Sequence, residues 1–236
     1  MILGVLAAIG IALVFARRAD APTQSNIEDK PGAQSAVSSQ QGFNKQQFPI
    51  DQASSLWMVV NKERTLPSEY VPADLTNVLG EQLRADAADA LNKLLAGAKA
   101  QGITLKVISG YRSYNDQKNL HNGYVKADGQ AKADTYSARA GHSEHQTGLA
   151  VDLGDINGNC DLQACFRNTK AGEWLAEYAH EHGFIIRYPE SKEAITGYQY
   201  EPWHLRYVGI DLATELSEQN KTLEEFFNIV PSPQPY

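Results

Sequence analysis

Cysteine is scarce in this chain. Two residues, Cys160 and Cys165, among 236 cannot staple a small disulfide-built scaffold, so the fold must rest on an apolar core. Both lie in one polar loop, DINGNCDLQACF. They are not spaced as CxxC, and no second cysteine pair or nearby histidine completes a zinc knot there. One local disulfide is expected if the domain works outside the cytoplasm, and two unpaired thiols are the alternative. Positive charge is also in short supply. Lys and Arg number 21 against 28 Asp and Glu, a formal net charge of -7, which excludes the basic surface of a general nucleic-acid binder. Long apolar runs are missing as well. The longest, residues 2–16, would make a helix of roughly 22 Å against a bilayer core of about 30 Å. Internal repeats are absent.

What is present divides into four stretches. Residues 1–21 read as a hydrophobic anchor or signal segment. Ala19-Asp20-Ala21 has the small-x-small form of a cleavage site, but Arg17 and Arg18 follow the apolar run and no basic residue precedes it. An anchor or uncleaved signal is the favoured expectation, which places the rest of the chain outside the cytoplasm, tethered or secreted. Residues 22–47, rich in Gln, Ser, Ala, Asn and Pro, read as a flexible linker. Residues 48–230 carry globular patterning, and residues 231–236 are a proline-broken tail. A 42% hydrophobic fraction is ample for the core of one domain.

Within that domain, residues 56–60 (LWMVV) suggest a strand or extended segment. Residues 82–100 repeat Ala and Leu at helical spacing up to Gly102. Residues 104–109 alternate as a strand, and Asn115 or Asp116 can cap a helix running to about residue 125. Residues 127–141 read as a surface loop. Strands are expected at 149–153, 184–188 and 204–208, and helices at 171–182, 209–218 and 222–229. Mixed elements without regular βαβ alternation predict an α+β fold, with a small, mostly antiparallel sheet flanked by helices.

The chemistry concentrates in SEHQTGLAVD, residues 143–152, and in Glu201-Pro202-Trp203-His204. Asp152 falls inside an apolar strand, where a lone carboxylate needs a cation or several donors. A metal and a structural salt bridge are equal solutions until His145 is considered. The loop before the strand can carry that imidazole to Asp152, and Gly148 permits the tight turn. His204 beside a tryptophan would ordinarily be a satisfied core residue. Glu201, three residues earlier, changes that reading, because a catalytic zinc needs three protein ligands and a nearby carboxylate to take a proton from water. A surface glutamate is its alternative. Arg112 follows a strand and suits a substrate carboxylate or a developing oxyanion, unless it is simply solvated. His142 is a weaker competing ligand. His121, His180 and His182 lack partners and read as surface residues.

The pair Ser143-x-His145-x-x-Gly148-x-Ala150-x-Asp152 and Glu201-x-x-His204 resembles the signature of VanY-type D-alanyl-D-alanine carboxypeptidases, of the LAS zinc peptidase group that shares the hedgehog/D-Ala-D-Ala peptidase fold. The segments 56–62, 70–75, 109–113 and 203–207 are similar to that family too. The resemblance implies one zinc ion per chain on His145, Asp152 and His204, with Glu201 as general base and Arg112 contacting substrate or transition state. Gln117 and Ser143 match positions lining the family's substrate cleft. It implies a monomeric enzyme of the bacterial envelope that removes D-alanine from peptidoglycan stem peptides, by D,D- or L,D-cleavage. A catalytically silent module that binds the same peptides is the alternative, and a structural-zinc or metal-free adaptor a more distant one.

Overall fold

The computed structural model describes residues 44–229. The readings of residues 1–21, of the linker up to residue 43 and of the tail lie outside the described residues. Among the described residues no helix is long and apolar enough to cross a membrane.

The first strands form a hairpin, β1 (Leu75–Val78) and β2 (Glu81–Arg84). Its turn puts Leu79 and Gly80 at φ of 51° and 96°, the positive pair that a tight two-residue hairpin demands. Helix α1 (Ala85–Ala100) follows at once and buries Ala87, Leu91, Leu94 and Ala98 on one face. Next come β3 (Leu105–Ser109), α2 (Tyr114–Asp128) and α3 (Gln130–Tyr136). The chain continues through β4 (Ala150–Asp155), α4 (Lys170–Tyr178) and β5 (Phe184–Ile186). It ends with α5 (Glu193–Thr196), β6 (His204–Tyr207), α6 (Ile210–Gln219) and α7 (Leu223–Phe227).

The main sheet has the order β3-β4-β6-β5, with every neighbouring pair antiparallel. Its two faces follow from the period of two along each strand. Val151, Leu153 and Leu205 point to one face and join α1 and α4 in the larger core. Ile185, with Leu212 and Leu216 of α6 and Phe226 of α7, belongs to a second core. Asp152, His204 and Arg206 alternate with the apolar residues of β4 and β6, so they point away from the larger core. The α+β architecture is as the patterning predicts.

Several local expectations are corrected. Residues 56–60 form no strand, because Arg206 donates to the carbonyls of Leu56 and Met58 and Arg64 to that of Val59. Residues 81–84, placed almost wholly in the helix by periodicity, pair with β1 instead. The expected loop at 127–141 contains α3. Ser113, rather than Asn115 or Asp116, caps α2 through its hydroxyl. His121 is buried, with Nε2 3.3 Å from Asp134, while His180 and His182 are half-buried. Cys160 and Cys165 form a disulfide.

Candidate metal centre and its cleft

Register builds the centre. Asp152 on β4 and His204 on β6 are direct cross-strand partners, so their side chains rise side by side. His204 Nδ1 stands 3.0 Å from Asp152 Oδ1. His145 arrives from a 3-10 turn, Glu144–Thr147, in which its own amide donates to the capping Ser143 hydroxyl. Gly148 ends that turn at φ 68°, where a Cβ would meet Arg84 Cγ at 3.0 Å and Leu75 Cδ2 at 3.1 Å. Only glycine satisfies both the left-handed backbone and the close approach. His145 Nε2 thereby reaches 3.2 Å from Asp152 Oδ2.

The donor set fits a divalent cation. His145 Nδ1 lies 2.7 Å from the Gly110 carbonyl, to which it donates, so Nε2 is left bare toward Asp152. One ligand atom each from His145, Asp152 and His204 falls within 4.8 Å of the others, and all three residues are buried. Two neutral imidazoles and one carboxylate leave a bound divalent ion net positive. Among the described residues no fourth ligand closes the set, and the triad lines a cleft. That is the open arrangement of catalytic sites, not the closed one of structural sites. His142 takes no part, because its Nδ1 lies 2.9 Å from the Asn61 carbonyl.

Electrostatics follow from burial. Burial opposes the charge of Asp152, yet His145 and His204 hold its carboxyl well below the usual carboxylate range. Burial depresses His145. For His204, burial is outweighed by hydrogen bonds to Asp152 and Glu144, which push it up to about 9. Glu201 is pushed up to about 8, first by burial, with Asp152 adding to the rise against His204. Its Oε2 lies 3.9 Å from His204 Nδ1.

The other candidates line the same cleft. Arg112 donates from Nη1 to Gln117 Oε1 at 2.9 Å and from Nη2 to Ser109 Oγ at 2.6 Å. Gln117 in turn donates to the Ala138 carbonyl at 2.6 Å. It is a strut for Arg112 as well as a lining residue, and Ser143 is a cap as well as a lining residue. Tyr124, Tyr136, Leu162 and Trp203 supply apolar wall.

Sequence reading missed the charged layer beneath. Glu144, fully buried, accepts from Arg187 Nε at 2.8 Å and Arg206 Nη1 at 2.6 Å. Arg187 is also clasped by Glu224 of α7, at 2.9 and 2.6 Å. Tyr188 packs its ring 5.0 Å from that of His204. The one available signal was that Glu144 occupies the unassigned position between Ser143 and His145.

Comparison with known proteins agrees with this geometry. The family model described as VanY, D-alanyl-D-alanine carboxypeptidase, matches residues 80–210. The Bacillus subtilis (strain 168) protein YodJ is 41% identical over 191 residues, covering 77% of this chain and 70% of that protein. Among solved structures, the LD-carboxypeptidase LdcB superposes with a TM-score of 0.70 at 41% identity, covering 75% of this chain and 88% of that one. The D,D-pentapeptidase VanY of a VanB-type resistance cassette, solved as a mutant in complex with Zn(II), gives 0.64 at 36% identity, covering 75% of this chain and all (100%) of that one. With the match spanning the hairpin turn, the 3-10 turn of His145 and the paired strands of Asp152 and His204, the chain belongs to the VanY family of D-alanyl-D-alanine carboxypeptidases.

Proposed function

We propose that the chain is a zinc carboxypeptidase removing the C-terminal D-alanine from peptidoglycan stem peptides. The observation that carries this reading is the buried His145–Asp152–His204 triad opening on a cleft beside the Glu201 carboxyl. One zinc ion per chain, held by these three residues, supplies Lewis acidity that brings the pKa of water to about 7 and polarises a carbonyl. Glu201 takes the proton of the attacking water and returns it to the leaving amine of D-alanine. Burial makes that carboxyl a strong enough base to hold the proton between the two events, and a neighbouring cation favours the ionised form it needs at the start. Arg112, with two of its donors fixed by Gln117 and Ser109, is set to meet the substrate's terminal carboxylate or the developing oxyanion.

Specificity stands between D,D-cleavage of a pentapeptide and L,D-cleavage of a tetrapeptide, since LdcB is an LD- and VanY a D,D-enzyme. We place the protein in the bacterial envelope as a monomer, held to the membrane or released according to the fate of residues 1–21. The Cys160–Cys165 disulfide supports an oxidising compartment.

The test is D-alanine release from tetrapeptide and pentapeptide stems offered separately, with chelator and then with zinc restored. Release that stops on chelation and returns with zinc is expected, and the preferred stem decides the specificity. A folded, zinc-loaded protein that releases nothing from either stem would favour the silent binding module.

A further inference from the structure

Two buried atoms face each other behind the metal triad with no other hydrogen-bond partner among the described residues. They are Oε2 of Glu144 and Nε2 of His204, 3.5 Å apart. Leaving a buried donor and a buried acceptor both unmade costs about 1–3 kcal/mol for each group. Closing the gap by a few tenths of an ångström satisfies both. We infer that Glu144 is a positioning residue of the metal centre: it accepts the Nε2 hydrogen of His204 and so presents Nδ1 bare to the metal.

The alternative tautomer shows why such a residue is needed. With its hydrogen on Nδ1, His204 would donate to Asp152 Oδ1, which stands 3.0 Å away. That bond would occupy two of the three ligand groups at once and keep the ion out. An acceptor on the far side of the ring tips the balance, as carboxylates behind metal-bound histidines do. Glu144 is held to this task. Its other oxygen, Oε1, accepts from Arg187 and Arg206, so the carboxylate cannot rotate away. Glu224 holds Arg187 in turn. A run of alternating charges therefore reaches from α7 to the metal side of β6.

The inference rests on the metal reading proposed above, and the test separates the two. Glu144→Gln keeps the shape. Its amide oxygen must face the two arginines, which turns the NH2 group toward His204 Nε2 and forces the hydrogen onto Nδ1. Zinc affinity, measured on the full chain against a competing chelator, should fall roughly ten- to a hundredfold. Glu224→Gln removes a carboxylate from the same arginine without touching His204, so it should lower the unfolding midpoint but leave zinc affinity at the parent value. Equal loss of affinity in both variants would reduce Glu144 to a structural role, and parent-like affinity in Glu144→Gln would remove the role altogether. If Glu144→Gln does not fold, nitrogen-15 NMR of the zinc-loaded parent decides. A downfield, slowly exchanging Nε2 hydrogen on His204 is expected, and a rapidly exchanging one overturns the inference. A parent protein that binds no zinc would instead sink the metal reading itself.

Discussion

A carboxyl group buried beside another negative charge holds its proton far into the neutral range, and Glu201 is placed in that way. Burial and Asp152 push it up to about 8. That placement suits the base-then-acid role proposed for it. It is not one of the three residues of the metal triad. Glu201→Ala should then leave zinc content at one ion per chain while turnover drops about 10²–10⁴-fold. Metal analysis alongside D-alanine release checks both halves. A variant that keeps its turnover removes Glu201 from the role, and one that loses its zinc would make Glu201 a ligand. Arg112 differs in kind, because two neighbours fix its guanidinium before any substrate arrives. That preorganisation limits the entropy lost on binding.

Elements bring these residues together, and two turns are decisive. The first joins the His145 turn to β4 at Gly148. An added methyl group there meets a left-handed backbone and two side chains, so Gly148→Ala should lower the unfolding free energy of the chelated protein by about 1–3 kcal/mol. Urea unfolding measures it, and an unchanged midpoint would show that the turn relaxes freely. The second is the loop closed by Cys160–Cys165, which carries Leu162 to the cleft wall. Closing so short a ring stabilises by about 2 kcal/mol in the chain-entropy account. Cys160→Ser with Cys165→Ser should lose about that much, while zinc content stays unchanged, because neither cysteine belongs to the triad. Loss of zinc in that double variant would tie the loop to the metal centre. How much of this was legible depended on what each element buries. The strands of Asp152 and His204 and the helix α1 were readable because apolar residues there keep one period. The β1–β2 hairpin was not, because its outward residues are polar and its inward Leu83 also fits the helical spacing of α1. Helix α3 was hidden by a composition that suits a loop equally well. The residues of the candidate metal triad were readable from residue type and spacing, and the structure brings them together. Glu144, Arg187, Arg206 and Glu224 were not, since a charged residue in isolation looks like surface, and only its partners explain why it is buried.

At the scale of the whole molecule, those buried charges make the fold sensitive to acid. Burial opposes the charge of Glu144, yet Arg187 and Arg206 hold its carboxyl well below the usual range. Burial likewise opposes Asp134, which hydrogen bonds from Arg139 and Gln130 keep low. A carboxylate whose folded pKa lies below its unfolded value of about 4 stabilises the fold fully above that value. The contribution is lost as pH falls through the folded pKa. Once Glu144 is protonated, the buried guanidinium of Arg206 is left without its counter-charge, which is the costly way to break a buried pair. The urea midpoint of the chelated protein should therefore fall between pH 6 and pH 2, because Glu201, raised to about 8, works the other way only until pH reaches its unfolded value of about 4. Asp134→Asn tests one group separately. It should be less stable than the parent at pH 6, where the parent's carboxylate is charged and paired. It should lose less on acidification, because one of the titrating groups is gone. Urea curves for both proteins at the two pH values give the comparison. Parallel losses would show that Asp134 titrates alike in the folded and unfolded chain. A shallower loss in the variant would assign part of the acid sensitivity to the α2–α3 region, which carries His121 and Asp134, separately from the Glu144 layer beneath the metal triad.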